Sequence, residues 1–198
     1  MSISQANCPT LADALLGGET GTLSRNLVLA IAGSVALAIS ARLEVPFYPV
    51  PMTMQTFVVL VIGMAYGWRL GAATVALYLA QGALGLPVFA GTPEKGIGLA
   101  YMAGPTGGYL VGYLAAAAAC GALAAIGWGR NIVTTVLSML AGNALIYAFG
   151  LAWLGMLAGW DKPILAWGLF PFLLGDLLKL ALAAAVLPLA WKVARRVA

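Results

Sequence analysis

Charge is what this chain has least of. Only 8% of its 198 residues are Asp, Glu, Lys or Arg, where a soluble domain carries about a quarter. The surface therefore faces something other than water, and in lipid exposed side chains are apolar. Histidine is absent, which removes imidazole general-base chemistry and most zinc sites. Cys8 and Cys120 are the two cysteines, too few for a disulfide framework or a metal set. The sequence contains no GxxxxGK followed by Ser or Thr, no GxSxG and no HExxH. ATP binding through a P-loop, nucleophile-elbow hydrolysis and zincin chemistry are thereby excluded. No internal repeat of the kind found in many secondary transporters is visible. The net charge of +4 comes from bases scattered singly between apolar runs, with no stripe to bind nucleic acid.

What is present is apolar. Hydrophobic residues make up 63% of the chain, and its 25 glycines suit close helix packing in a membrane. Apolar stretches run from Leu27 to Ala41, Phe57 to Tyr66, Leu70 to Leu86, Tyr109 to Trp128, Ile132 to Leu157 and Ile164 to Trp191. A span needs about 20 residues. The second stretch is short, and reaches a usable length if its helix begins near Pro51, since proline is accepted at a first helical position. The last is too long for one rod, so Pro171 is expected to begin the final span, with residues 164–170 as an approach segment and Pro188 as a kink near its end. Trp68, Trp128, Trp160 and Trp191 fall at expected span ends, where amphipathic rings sit at the membrane interface. About six spans follow.

The stretch Met1 to Arg25 lacks a basic start and an apolar core and carries Asp13 and Glu19. It reads as a tail with a short amphipathic turn near Leu11 to Leu16, not as a signal peptide. The expected organisation is a tail over residues 1–24 and a single membrane domain over residues 25–198. With six spans and the N-terminus inside, Arg25, Arg69, Arg130, Lys192, Arg195 and Arg196 are cytoplasmic. Arg42, Lys95 and Lys162 are then outside, each near an acid: Glu44, Glu94 and Asp161. Five spans with the N-terminus outside give an equally lopsided distribution, so charge alone leaves a tie.

Asp176 and Lys179 are the main functional candidates. Three residues apart on the last span, they share a helix face, at a depth where an unpaired charge costs roughly 2.5–3.5 kcal/mol. They are either a ligand site or an ion pair that locks the bundle. The first outer loop, Glu44 to Phe57, is stiffened by three prolines and offers Tyr48, Thr53 and Gln55. It reads as a lid or as a passive connector. The second outer loop, about Gly85 to Gly107, has Lys95 as its one base, and its glycines either pass close to a ligand or make a flexible turn. Asn143 and Tyr147 share a face of the fifth span, for interhelical hydrogen bonding or for a ligand. Small residues recur every fourth position on the first span, as Ala30, Ser34, Ala38 and as Ala32, Ala36, Ser40. This spacing suits close approach by another helix, inside the bundle or from a partner.

Four segments in order resemble the BioY family: Val50-Pro-Met-Thr-Met-Gln-Thr-Phe57, Gly82-Ala-Leu-Gly-Leu-Pro-Val-Phe89, Gly104-Pro-Thr-Gly-Gly-Tyr-Leu110 and Pro171-Phe-Leu-Leu-Gly-Asp-Leu-Leu-Lys179. The resemblance covers nearly all of the chain from Arg25 onward. It implies an all-α integral membrane protein, a bundle of about six transmembrane helices of the energy-coupling factor (ECF) S-component type, with both termini cytoplasmic, which resolves the tie. It implies capture of biotin from outside, in a pocket capped by the first loop, and no catalysis and no cofactor. It implies as partners a transmembrane coupling (T) protein and ABC-type ATPases, the T protein meeting the small residues of the first helix (Ala30, Ser34, Ala38, with Ala32 and Ala36). Asp176 and Lys179 correspond to the family's Asp and Lys for the ureido group. Lys95 is the outer-loop base for the carboxylate tail, in a stretch that departs from the family's more glycine-rich pattern. Tyr101, Gln55, Thr53, Tyr48, Asn143 and Tyr147 complete the expected substrate-facing set. A solitary vitamin carrier without ATPase is the alternative.

Overall fold

A computed structural model describes residues 10–16, 22–46 and 48–197; Cys8 and Glu19 lie outside them. In chain order the elements are α1 (Leu11–Leu16), α2 (Leu23–Arg42), β1 (Glu44–Val45), β2 (Met52–Thr53), α3 (Gln55–Ala83), α4 (Gly98–Met102), α5 (Gly107–Ala125), α6 (Ile132–Ala158), α7 (Ile164–Gly168) and α8 (Phe170–Val197). Five helical runs among the described residues are long and apolar enough to cross a membrane: α2, α3, α5, α6 and the run 164–194.

The expected second and third spans are one element, α3, and it is not straight. Gly67 inside it has φ 78° and ψ 174°. Eight residues of helix rise about 12 Å, yet a Cβ placed on Gly71 would lie 3.1 Å from Gly63 Cα. Gln55 and Tyr78, nearly equidistant from Gly67, are joined by a hydrogen bond. The chain therefore doubles back at Gly67 into two antiparallel arms, residues 55–66 and 68–83, about 18 and 24 Å long. A side chain at this positive φ is strained by about 1–3 kcal/mol. Gly67→Val is expected to lower the thermal midpoint in detergent, and an unchanged midpoint would contradict the turn.

The first arm begins at Gln55 and not near Pro51. Met52 and Thr53 are instead drawn into an antiparallel pair with the start of the same loop, in the register Glu44↔Thr53 and Val45↔Met52. The first outer loop is thus a short hairpin. Its Met52 thioether lies where a Cβ on Gly175 of α8 would be, 2.4 Å from that position. Helix α8 starts at Phe170, so Pro171 sits in its first turn, where a missing N–H costs nothing. The approach segment is the separate helix α7, and α8 continues through Pro188.

The interior is apolar and so is much of the outer face. On α8, Leu173, Leu174, Leu177, Leu178 and Leu182 are exposed while Asp176, Lys179, Ala183 and Leu187 are buried. The buried set follows the three- and four-residue spacing of one helix face. At one end of the bundle the Gly67 turn meets Gly121 of α5 and Thr10, and Arg130 lies over the Trp191 ring at 4.7 Å. There α1 is capped reciprocally: the Asp13 amide donates to Thr10 Oγ1 at 3.1 Å and the Thr10 amide donates to Asp13 Oδ2 at 3.1 Å, the capping-box pattern. Arg25 forms an ion pair with Asp13, tying α1 to α2. The hairpin and the loop 84–106 lie at the opposite end.

Candidate functional site

A cavity opens at the hairpin end, bounded by the start of α3 and by α5, α6 and α8. Its floor is the pair singled out by sequence. Asp176 and Lys179 are 6% and 8% exposed. Lys179 Nζ donates to Asp176 Oδ1 at 3.1 Å and to Thr56 Oγ1 of α3 at 2.9 Å. The Tyr147 hydroxyl of α6 donates to Asp176 Oδ2. Three helices thus converge on one pair of charges. The mutual attraction and the two neutral partners offset the cost of keeping the charges from water.

The walls include Val50 and Pro51 of the hairpin, Thr53, Gln55, Ala90, Tyr101, Thr106, Tyr109, Leu110, Tyr113, Ile146 and Phe172. The space among them, open solvent at the mouth included, is about 510 Å³. Apolar and aromatic walls with a few convergent polar groups are the usual make-up of such a site.

The second outer loop is held in place by contacts invisible in its sequence. Arg42 at the end of α2 donates to Thr92 O at 2.9 Å and to Pro87 O at 2.6 Å. The Tyr78 hydroxyl donates to Val88 O at 3.0 Å and the Tyr101 hydroxyl to Ala90 O at 2.9 Å. Phe89 stacks on Tyr101 with ring centroids 4.9 Å apart. This loop is a built wall and not a flexible turn.

Of the residues expected to face substrate, Asp176, Lys179, Gln55, Thr53, Tyr147 and Tyr101 come together on the cavity. Three do not. Tyr48 is 92% exposed at the hairpin tip. Lys95 is exposed on the second loop, its stem against Gly91, and is not among the walls. Asn143 lines a smaller adjoining cavity with Thr56 and Lys179, and its Oδ1 is buried with no hydrogen-bond partner among the described residues. The five small residues of α2 divide as well. Ala30 and Ser34 are buried, Ser34 accepting from Gln81 Nε2 at 3.4 Å. Ala38 is half-buried, whereas Ala32 and Ala36 are exposed. Internal packing takes the first face, so only the second is open to another protein.

Sequence reasoning missed Thr56, Tyr109 and Tyr113. Thr56 follows Gln55 directly in the most distinctive segment, a signal that was available. Tyr109 and Tyr113, four apart on α5, share a buried face, which is set by how α5 packs on α3 and α6.

The model of the BioY family matches residues 9–196. A relative from Pyrococcus horikoshii named "Probable biotin transporter BioY" is 36% identical over 149 residues, 75% of this chain and 85% of that protein. The "Biotin transporter BioY" of Thermotoga maritima is 35% identical over 162 residues, 82% of this chain and 93% of that protein. That of Rhodobacter capsulatus is 36% identical over 184 residues, 83% of this chain and 92% of that protein. Among solved structures, the S-component for biotin from an ECF-type ABC transporter superposes with a TM-score of 0.71 at 22% identity, covering 89% of this chain and 95% of that one. That likeness is one of fold. Apolar helices of spanning length, together with relatives named as transporters, make this a multi-pass membrane protein, and the chain belongs to the BioY family.

Proposed function

We propose that this protein is the biotin-capturing S component of an ECF-type vitamin importer. It lies in the cytoplasmic membrane with about six spans, the two arms of α3 counted separately, and with both termini cytoplasmic. Residues 25–198 act as one membrane domain behind a tail over residues 1–24. The observation that carries the reading is the buried Asp176–Lys179 pair at the floor of a cavity lined with aromatic side chains. A ureido ring offers two N–H donors and one carbonyl acceptor, and a carboxylate beside an ammonium offers the complement of one N–H with the carbonyl. The relatives' names and the fold of the biotin S-component support the same substrate. The protein has no P-loop sequence, so inward delivery is assigned to a T protein and its ATPases, with the exposed Ala32 and Ala36 on the contacting face. No chemical step is required of the protein, and no cofactor.

The hairpin over the cavity is the cap. Lys95 stands away from the walls, and Lys95→Ala is expected to change biotin affinity less than about threefold, under 1 kcal/mol; a tenfold loss would instead bring Lys95 to the carboxylate tail. The function is tested by labelled biotin uptake in a host without its own biotin transporter. Uptake is expected only when T protein and ATPases are co-expressed, with competition by unlabelled biotin and none by riboflavin. Uptake by the chain alone would favour a solitary carrier. No uptake in any background, with protein in the membrane, would overturn the reading.

A further inference from the structure

Asp176 and Lys179 are held by two neighbours whose hydrogen bonds leave a countable remainder. An ionised carboxylate accepts at about four lone-pair sites and an ammonium donates three protons. Here Asp176 Oδ1 accepts from Lys179, and Oδ2 accepts from Tyr147. Lys179 gives its second proton to Thr56 Oγ1 at 2.9 Å. Each carboxylate oxygen keeps one free site, and the ammonium keeps one free proton. An acceptor beside a donor in that remainder matches one N–H and the adjoining C=O of a cyclic urea. Without Tyr147 or Thr56 the two charged groups would be free to rotate onto one another and satisfy themselves.

We propose that Tyr147 and Thr56 are positioning residues that set substrate specificity. Tyr147 fixes the carboxylate so that it reads one ureido N–H, and Thr56 fixes the ammonium so that it reads the ureido oxygen beside it. The proposal rests on the biotin reading above and divides its selectivity between two side chains on different helices. Tyr147 comes from α6 and Thr56 from the first arm of α3. Each hydroxyl touches only one member of the ion pair, so their effects are separable.

The test is equilibrium binding of three ligands to the purified protein in detergent: biotin, a biotin with one ureido nitrogen methylated, and 2-thiobiotin, in which sulfur replaces the ureido oxygen. The wild-type protein is expected to prefer biotin over each analogue by at least about tenfold, the scale of one charge-assisted hydrogen bond. Tyr147→Phe, which removes one oxygen and keeps the ring, is expected to weaken biotin about tenfold. It also shrinks the preference over the N-methyl analogue by at least about threefold, leaving the preference over the thio analogue unchanged. Thr56→Val is expected to do the reverse, with Thr56→Ser restoring the wild-type pattern; Thr56→Ala serves if the valine variant fails to fold. Equal losses for all three ligands would make the two residues merely structural and overturn the proposal, as would unchanged affinities. Failure of the wild-type protein to bind biotin would overturn the substrate reading itself, a result distinct from either.

Discussion

Asp176→Asn is expected to weaken biotin binding by at least tenfold, about 1.4 kcal/mol, and to lower the stability of the empty protein as well. The amide keeps the shape of the carboxylate but loses its charge and half of its acceptor capacity. Lys179, 8% exposed, would then be a buried ammonium with no counter-charge, left to the Thr56 hydroxyl and the neutral amide oxygen. Breaking a buried pair by removing one member costs about 3–5 kcal/mol. Lys179→Met should do the converse, stranding Asp176 with Tyr147. The double variant Asp176→Asn/Lys179→Met discriminates between the roles of the pair. A packing lock predicts that the double variant regains stability and that nothing about ligand changes. A ureido site predicts regained stability with no recovery of biotin binding. Thermal unfolding in detergent and equilibrium binding on the same samples read both.

Gly112→Leu is expected to have the second large effect, through backbone and not through charge. A Cβ on Gly112 would lie 2.8 Å from Ile146 Cα and 3.0 Å from Ile146 O. Neither atom belongs to a flexible side chain, so α5 and α6 must separate. Close backbone approach at small residues is how membrane helices gain packing energy in the absence of a hydrophobic drive. The cost of overpacking is about 1–3 kcal/mol, and a leucine adds more than one methyl group to a gap that holds none. The same shift carries Ile146 off the cavity wall and Tyr147 off Asp176, so biotin affinity should fall at least tenfold, about 1.4 kcal/mol. Loss of stability with unchanged affinity would separate the α5–α6 contact from the site.

Much of the fold was legible from residue types alone. The dearth of charge forced the membrane, and the spacing of Asp176 and Lys179 forced them onto one helix face. Their neighbours were another matter. Tyr147 was visible as a polar residue on an inward face, but its bond to Asp176 depends on how α6 packs against α8. Thr56 was visible only as part of the Val50 to Phe57 segment; because α3 begins at Gln55, its hydroxyl comes within reach of Lys179. The turn at Gly67 falls in the break between the expected second and third spans, after Tyr66 and before Arg69, so a reversal there was legible. What was not legible is that a single residue at positive φ makes it, with helix on both sides and no loop between. Lys95 illustrates the reverse case: a lone cation in an outer loop attracts a carboxylate on paper, while the empty fold leaves it exposed and off the cavity walls, and the Lys95→Ala measurement decides its role.

The most direct test of biotin capture is a calorimetric titration of biotin into the purified protein, with riboflavin as the comparison. Tight binding at one site per chain, with no heat from riboflavin, is the expected result. A folded sample that gives no biotin signal, or that takes riboflavin equally well, would contradict it.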